Sequence, residues 1–128
     1  MPYIEILSST DADPHAKRKL IGAITDAITS EFSVGPDVVT VFFQPFSPDC
    51  YGYRGELGHA GEPRVFLKIY AYRRTARHRA AVAGPISVAI AACFGTSEQS
   101  VGIYFFEQGF DEVVHDGRLV SDGPLPTL

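Results

Sequence analysis

FSVGPDVVTVFF, Phe32–Phe43, and FGTSEQSVGIYFF, Phe94–Phe106, decide how this chain is built. Each opens on a phenylalanine that closes a helical run. A cluster of breakers follows, Gly35-Pro36-Asp37 in the first and Gly95 in the second, and then a β-branched and aromatic strand. Phe32 to Phe94 and Val41 to Ile103 share one spacing of 62. Upstream, Leu20, Ile21, Ile24, Ala27, Ile28 and Phe32 recur at helical spacing from Pro14. Before them Tyr3 to Leu7 reads as a strand, ended by the polar run Ser8 to Asp11. In the second half Val65 to Tyr72 is a strand, Thr75 a helix N-cap, and a helix runs to Phe94 with Gly95 as its stop.

The order β-α-β is therefore written twice. Parallel strands joined by right-handed helical crossovers predict an α+β, two-layer fold: a four-stranded mixed sheet with two helices on one face. The chain reads as one domain, 1–128, with internal repeats at 2–50 and 64–110 and a turn-rich C-terminal arm at 111–128. Gly52 to Pro63 is a hairpin or loop, and the arm is short edge structure or reaches a neighbouring subunit. Helices on one face leave the other sheet face uncovered, which predicts oligomerisation. Gly84-Pro85 inside the second helix predicts a kink.

Of 128 residues, 45% are hydrophobic, enough for a real core. The net charge of −4 argues against nucleic acid or a membrane surface as the partner. Ala80 to Phe94 is too short to span a bilayer, and nothing at the start reads as a signal peptide. Cys50 and Cys93 read as free thiols in a reducing compartment, so the expected location is the cytoplasm. His15, His59 and His78 have no partners at metal-ligand spacing, and neither a metal nor a cofactor is expected.

Pro2 carries the sharpest question. It is an ordinary start for an edge strand, which needs no donor there. If Met1 is removed, it is also a secondary amine with a pKa near those of general bases. Arg73 and Arg74, at the turn from strand to helix, offer guanidinium forks suited to a carboxylate; the bland reading is a solvated basic helix start, with Arg77 and Arg79 as surface charges. Tyr104, among Ile103, Phe105 and Phe106, reads as core by spacing alone. His115, beside Asp116-Gly117, reads as a loop histidine, although histidine changes charge near neutral pH. Asp37 reads as turn chemistry.

Taken together, PYIEI, KRKLIGAITDAI, VGPDVVTVFFQ and SPDCYGYRG in the first half resemble the tautomerase superfamily, whose founder is 4-oxalocrotonate tautomerase. The fused length is similar to the branches of cis-3-chloroacrylic acid dehalogenase and malonate semialdehyde decarboxylase. YAYRRTARHRA resembles the turn where those enzymes carry an arginine pair, and IYFFEQGFDEVVHDGR resembles the dehalogenase branch's last strand and loop. The resemblance implies that Pro2 is the catalytic amine, that Arg73 and Arg74 hold a small carboxylate substrate, and that Tyr104 is their hydrogen-bonding partner. It puts His115 where the dehalogenases have a water-activating glutamate, and Ile28 where they have a histidine. It further implies a homotrimer with pockets near subunit contacts. The resulting expectation is a cofactor-free isomerase of 2-oxo or enol carboxylic acids. Two alternatives stay open: a hydratase, hydrolytic dehalogenase or decarboxylase, and a non-catalytic trimeric binding protein if Met1 is retained.

Overall fold

The computed structural model describes residues 2–58 and 60–128; the expected loss of Met1 and the surface position expected for His59 lie outside them. β1 (Tyr3–Ser8) leads into α1 (Pro14–Phe32) and β2 (Thr40–Pro45). β5 (Val65–Tyr72), α2 (Ala76–Phe94) and β6 (Val101–Gln108) repeat that order, and two short hairpins, β3 (Gly52–Tyr53) with β4 (Glu56–Leu57) and β7 (Val114–His115) with β8 (Arg118–Leu119), follow the two units. Both helices start as the sequence predicts. Asp13 Oδ1 accepts from Ala16 N at 2.8 Å with Pro14 at the first helical position, and Thr75 Oγ1 accepts from His78 N at 3.3 Å. Gly95 ends α2 in the left-handed region at φ 65°, where the Thr96 amide donates to Ala91 O. α2 runs unbroken through Pro85: Gly84 and Pro85 are exposed, so water reaches the carbonyl that loses its helical donor.

The sheet order is β2-β1-β5-β6, parallel within each unit and antiparallel between β1 and β5, as a tandem β-α-β repeat requires. The spacing of 62 extends beyond the two strands that first show it: α1 maps onto α2, the 3-10 turn Pro36–Val38 onto Glu98–Ser100, and the first hairpin onto the second. The packing obeys it too. Leu20, Ile24, Ile28 and Phe32 of α1 and Val82, Ile86, Ile90 and Phe94 of α2 are buried against Ile4, Ile6, Val65, Leu67 and Ile69 of the sheet. Each such side chain contributes about 1.5–3 kcal/mol on burial, so these two stripes, rather than helix propensity, dock the helices.

Side chains alternate across a strand, and the face away from the helices carries an aromatic row. Phe42 meets Tyr3 edge-on at 6.2 Å, Tyr3 stacks on Tyr70 at 4.4 Å, and Tyr70 stacks on Phe106 at 5.0 Å, crossing all four strands. Phe42, Tyr104 and Phe106 are 56%, 55% and 42% exposed. The expected uncovered face is thus present and rich in aromatic rings, with Lys68 and Glu5 paired among them at 3.9 Å. Among the described residues no helix is long and apolar enough to cross a membrane. Cys50 is exposed and Cys93 half-buried, both unpaired.

Candidate active site

At one end of the sheet, β1 begins where β5 ends. The antiparallel register, Tyr3 opposite Tyr70, sets Pro2 beside Ala71, and on its other side Thr40 N donates to Pro2 O at 3.4 Å. Pro2 is buried, on the helix side of the sheet with Ile4 and Ile6. The same neighbouring segments wall a cavity of about 440 Å³, lined by Val34, Val38, Tyr72, Arg74, His115 and the C-terminal Pro126–Leu128. Pro2 is not one of its wall residues.

Arg74 is the cavity's cation, and most of its guanidinium is already engaged. Nη1 donates to Tyr72 O at 2.9 Å and, more weakly, to Arg73 O at 3.4 Å; Nη2 donates to Phe32 O at 3.1 Å. The group also lies 4.7 Å over the Phe32 ring. Arg74 therefore ties the end of β5 to the C-terminus of α1, where helix carbonyls lack partners and a cation is favoured. Its Nε is buried with no partner. Burial lowers the Arg74 pKa and Glu107 opposes the change; a guanidinium stays charged regardless. The donors left over are those an anion in the cavity would take.

Arg73 and Arg74 do not converge within the chain. Arg73 is exposed and lines no wall of this cavity, because the chain leaves the strand at Tyr72 and only Arg74 turns in over α1. Arg79 is not the surface charge its spacing suggested. Its Nη1 donates to Arg74 O at 2.6 Å and to Glu107 Oε1 at 2.9 Å, while Glu107 Oε2 accepts from Arg74 N at 2.7 Å. Glu107 thus pins the turn that aims Arg74. Neither residue was singled out from sequence as part of the site; the available signal was a lone glutamate closing an apolar strand beside an arginine-rich turn.

Tyr104 lies apart from this cavity within one chain. It pairs with Lys68 in the register and sits on the helix-free face, 6.1 Å from the Phe66 ring. His115 does reach the cavity. It ends β7 before a two-residue turn, Asp116 at φ 53° and Gly117 at φ 76°, which folds the hairpin back. Asp37 stays an exposed turn residue and is absent from the walls. The C-terminal arm, expected as edge structure or as a reach to a neighbour, makes a hairpin and returns to its own chain, where its last three residues close one side of the cavity.

The sequence matches no protein-family model and no curated protein. Solved structures do match. A fused 4-OT wild-type symmetric trimer has TM-score 0.80 at 19% identity over 93% of this chain and 96% of that one. A fused 4-OT asymmetric trimer has TM-score 0.83 at 17% identity over 94% and 97%. Macrophage migration inhibitory factor of Toxoplasma gondii has TM-score 0.76 at 16% identity over 91% and 98%. The chain has the fold of these structures, as the resemblance in its sequence implied.

Proposed function

We propose that the protein is a cofactor-free isomerase of a small 2-oxo or enol carboxylic acid. The observation that carries the reading is Arg74: a desolvated cation with a buried, unpartnered Nε, lining a cavity beside the start of β1. In this reading Met1 is cleaved and the Pro2 nitrogen becomes an amine. The substrate carboxylate binds the donors Arg74 has left, with Arg73 at the rim. Pro2 takes the enol proton and delivers a proton to the adjacent carbon, so the C=C bond becomes C=O with no net change in composition. A general base at this position needs its neutral form populated, and a cation close to the amine would favour that form. His115 steadies the developing oxyanion.

The open aromatic face supports association of copies, and the matched 4-OT structures are trimers by name. In a homotrimer Tyr104, on that face, would serve the site of another copy. Ketonisation of phenylenolpyruvate, with intact mass measured on the same preparation, tests the reading. Turnover by protein lacking Met1, lost in Pro2→Ala, supports it; a retained Met1 leaves an amide at Pro2 and favours the non-catalytic binding protein. His115 on the cavity wall beside Asp116 favours one second reading. There a protonated Pro2 acts as acid and His115 activates water, giving hydration, hydrolytic dehalogenation or decarboxylation. Turnover of 3-haloacrylate that His115→Ala leaves intact would rule that out.

A further inference from the structure

The internal duplication places a second cavity at the opposite end of β1 and β5. It encloses about 310 Å³ and is lined by Tyr53, Arg54, Glu62, Arg64, Gln99 and Ser100. Three of these are the 62-residue counterparts of wall residues of the first cavity: Tyr53 of His115, Arg54 of Asp116, and Ser100 of Val38. Arg64 precedes β5 as Pro2 precedes β1. The counterpart of Arg74 is Ala12, so the cation of the first cavity is missing from the turn. Cations appear instead at Arg64, the counterpart of Pro2, and at Arg54, the counterpart of the wall residue Asp116.

The chemistry of these walls is specific. The Arg64 guanidinium lies 3.8 Å from the Tyr53 ring centroid and 5.5 Å from that of Phe66, and Arg54 lies 5.8 Å from Tyr53. Stacking on a ring engages the flat face of a guanidinium and leaves its N–H edge for an acceptor in the plane. Among the described residues no hydrogen bond or ion pair engages the guanidinium of Arg54 or Arg64. Glu62 forms no ion pair with either among the described residues, although the Arg64 charge acts on it at longer range. Its Oε1 accepts from both Ser97 Oγ and Ser100 Oγ, and those bonds, Ser100 first, hold its carboxyl below the usual range, so it stays ionised. Among the wall residues, two cations stand against one anion and leave a single positive charge, which a monoanion neutralises.

We propose that this cavity is a second, non-catalytic site that binds a small organic monocarboxylate on Arg64 and Arg54. It is a counterpart of the first cavity in which the strand-leading residue has become the anion ligand. The proposal does not depend on the reaction assigned above, since no residue of this cavity takes part in it.

The test is a titration of the full-length, ¹⁵N-labelled protein with sodium pyruvate, followed by amide NMR, with inorganic phosphate as a second arm. Saturating shifts at Gly61, Gln99 and Ser100 are expected. Arg64→Gln should raise the dissociation constant at those amides at least tenfold. Arg54→Asn should raise it severalfold; asparagine suits the left-handed backbone there, φ 55°, and so keeps the hairpin. Should Arg64→Gln fail to give a native melting curve, Arg54→Asn alone decides. Phenylenolpyruvate turnover should stay within twofold of wild type in both variants. Shifts confined to Tyr72, Arg74 and Val120, shifts at Gln99 and Ser100 that neither variant weakens, or tighter binding of phosphate than of pyruvate would each overturn the proposal. Absence of ketonisation in the wild type, with these shifts intact, would sink the isomerase reading and leave this one standing.

Discussion

Replacing Arg74 by methionine separates what the guanidinium does for the fold from what it offers a ligand. Methionine keeps a long apolar stem over Phe32 but removes every donor. Two well-formed bonds are lost, to Tyr72 O at 2.9 Å and to Phe32 O at 3.1 Å; the 3.4 Å contact to Arg73 O is too long to weigh. Hydrogen bonds from a charged donor contribute about 1.5–3 kcal/mol each. Arg74 is only half-buried and desolvation already penalises its charge, so each bond contributes at or somewhat below the lower end and the expected loss is about 2–3 kcal/mol. Unfolding entropy of about 2.1 cal/mol/K per residue gives about 0.27 kcal/mol/K for 128 residues. Tm should therefore fall by about 7–11 °C, read by circular dichroism at one fixed protein concentration because association shifts Tm. Arg73→Met, at an exposed position, should move it by no more than about 2 °C. Arg74→Lys restores the charge without the planar fork and should recover less than half of the loss. An Arg74→Met melting point within about 3 °C of wild type, or an equal fall for Arg73→Met, would refute the clamp between β5 and α1.

Pro2→Ala should lower kcat for phenylenolpyruvate by about 10²–10⁴. With Pro2 as base, kcat/KM should rise with pH as the amine loses its proton and then level off; a profile that falls over that range assigns Pro2 as acid. Phe106→Glu puts a charge into the exposed aromatic row; if the proposed trimer forms through that row, sedimentation should give a trimer mass for wild type and a smaller one for the variant, and equal masses would count against the contact. Glu62 is held below its ordinary 4.5 by Ser100 and Ser97. Its contribution to stability is therefore complete above about pH 4.5 and fades as pH falls through the lowered value. Urea unfolding at pH 6 and pH 3 should show a smaller acid loss in Glu62→Gln than in wild type, and equal losses would remove Glu62 from the account.

The sequence alone determined what is local and periodic. The stripe Leu20, Ile24, Ile28, Phe32, the Thr75 cap and the Gly95 stop depend on neighbours within a turn or two of chain, the spacing of 62 is a repeat of such local patterns, and each is legible as a pattern of residue types. From these follow the two β-α-β units, the mixed sheet, the shared helix face and the uncovered aromatic one. Residue types alone start the second strand at Val38 and end it at Phe43, whereas β2 spans Thr40–Pro45, because Pro36–Val38 forms a 3-10 turn. The site was only partly legible, for a reason that is also physical. Arg73 and Arg74 are adjacent and chemically identical, yet one is exposed and the other half-buried over Phe32, a residue 42 positions away that only folding brings near. Tyr104 goes to the open face because the alternation of β6 sends it there. Arg79 and Glu107 meet across 28 positions to pin the turn beneath Arg74. The residues of the site are named by chemistry; which of them share a cavity is decided by long-range packing, and packing is set by partners the local pattern does not contain.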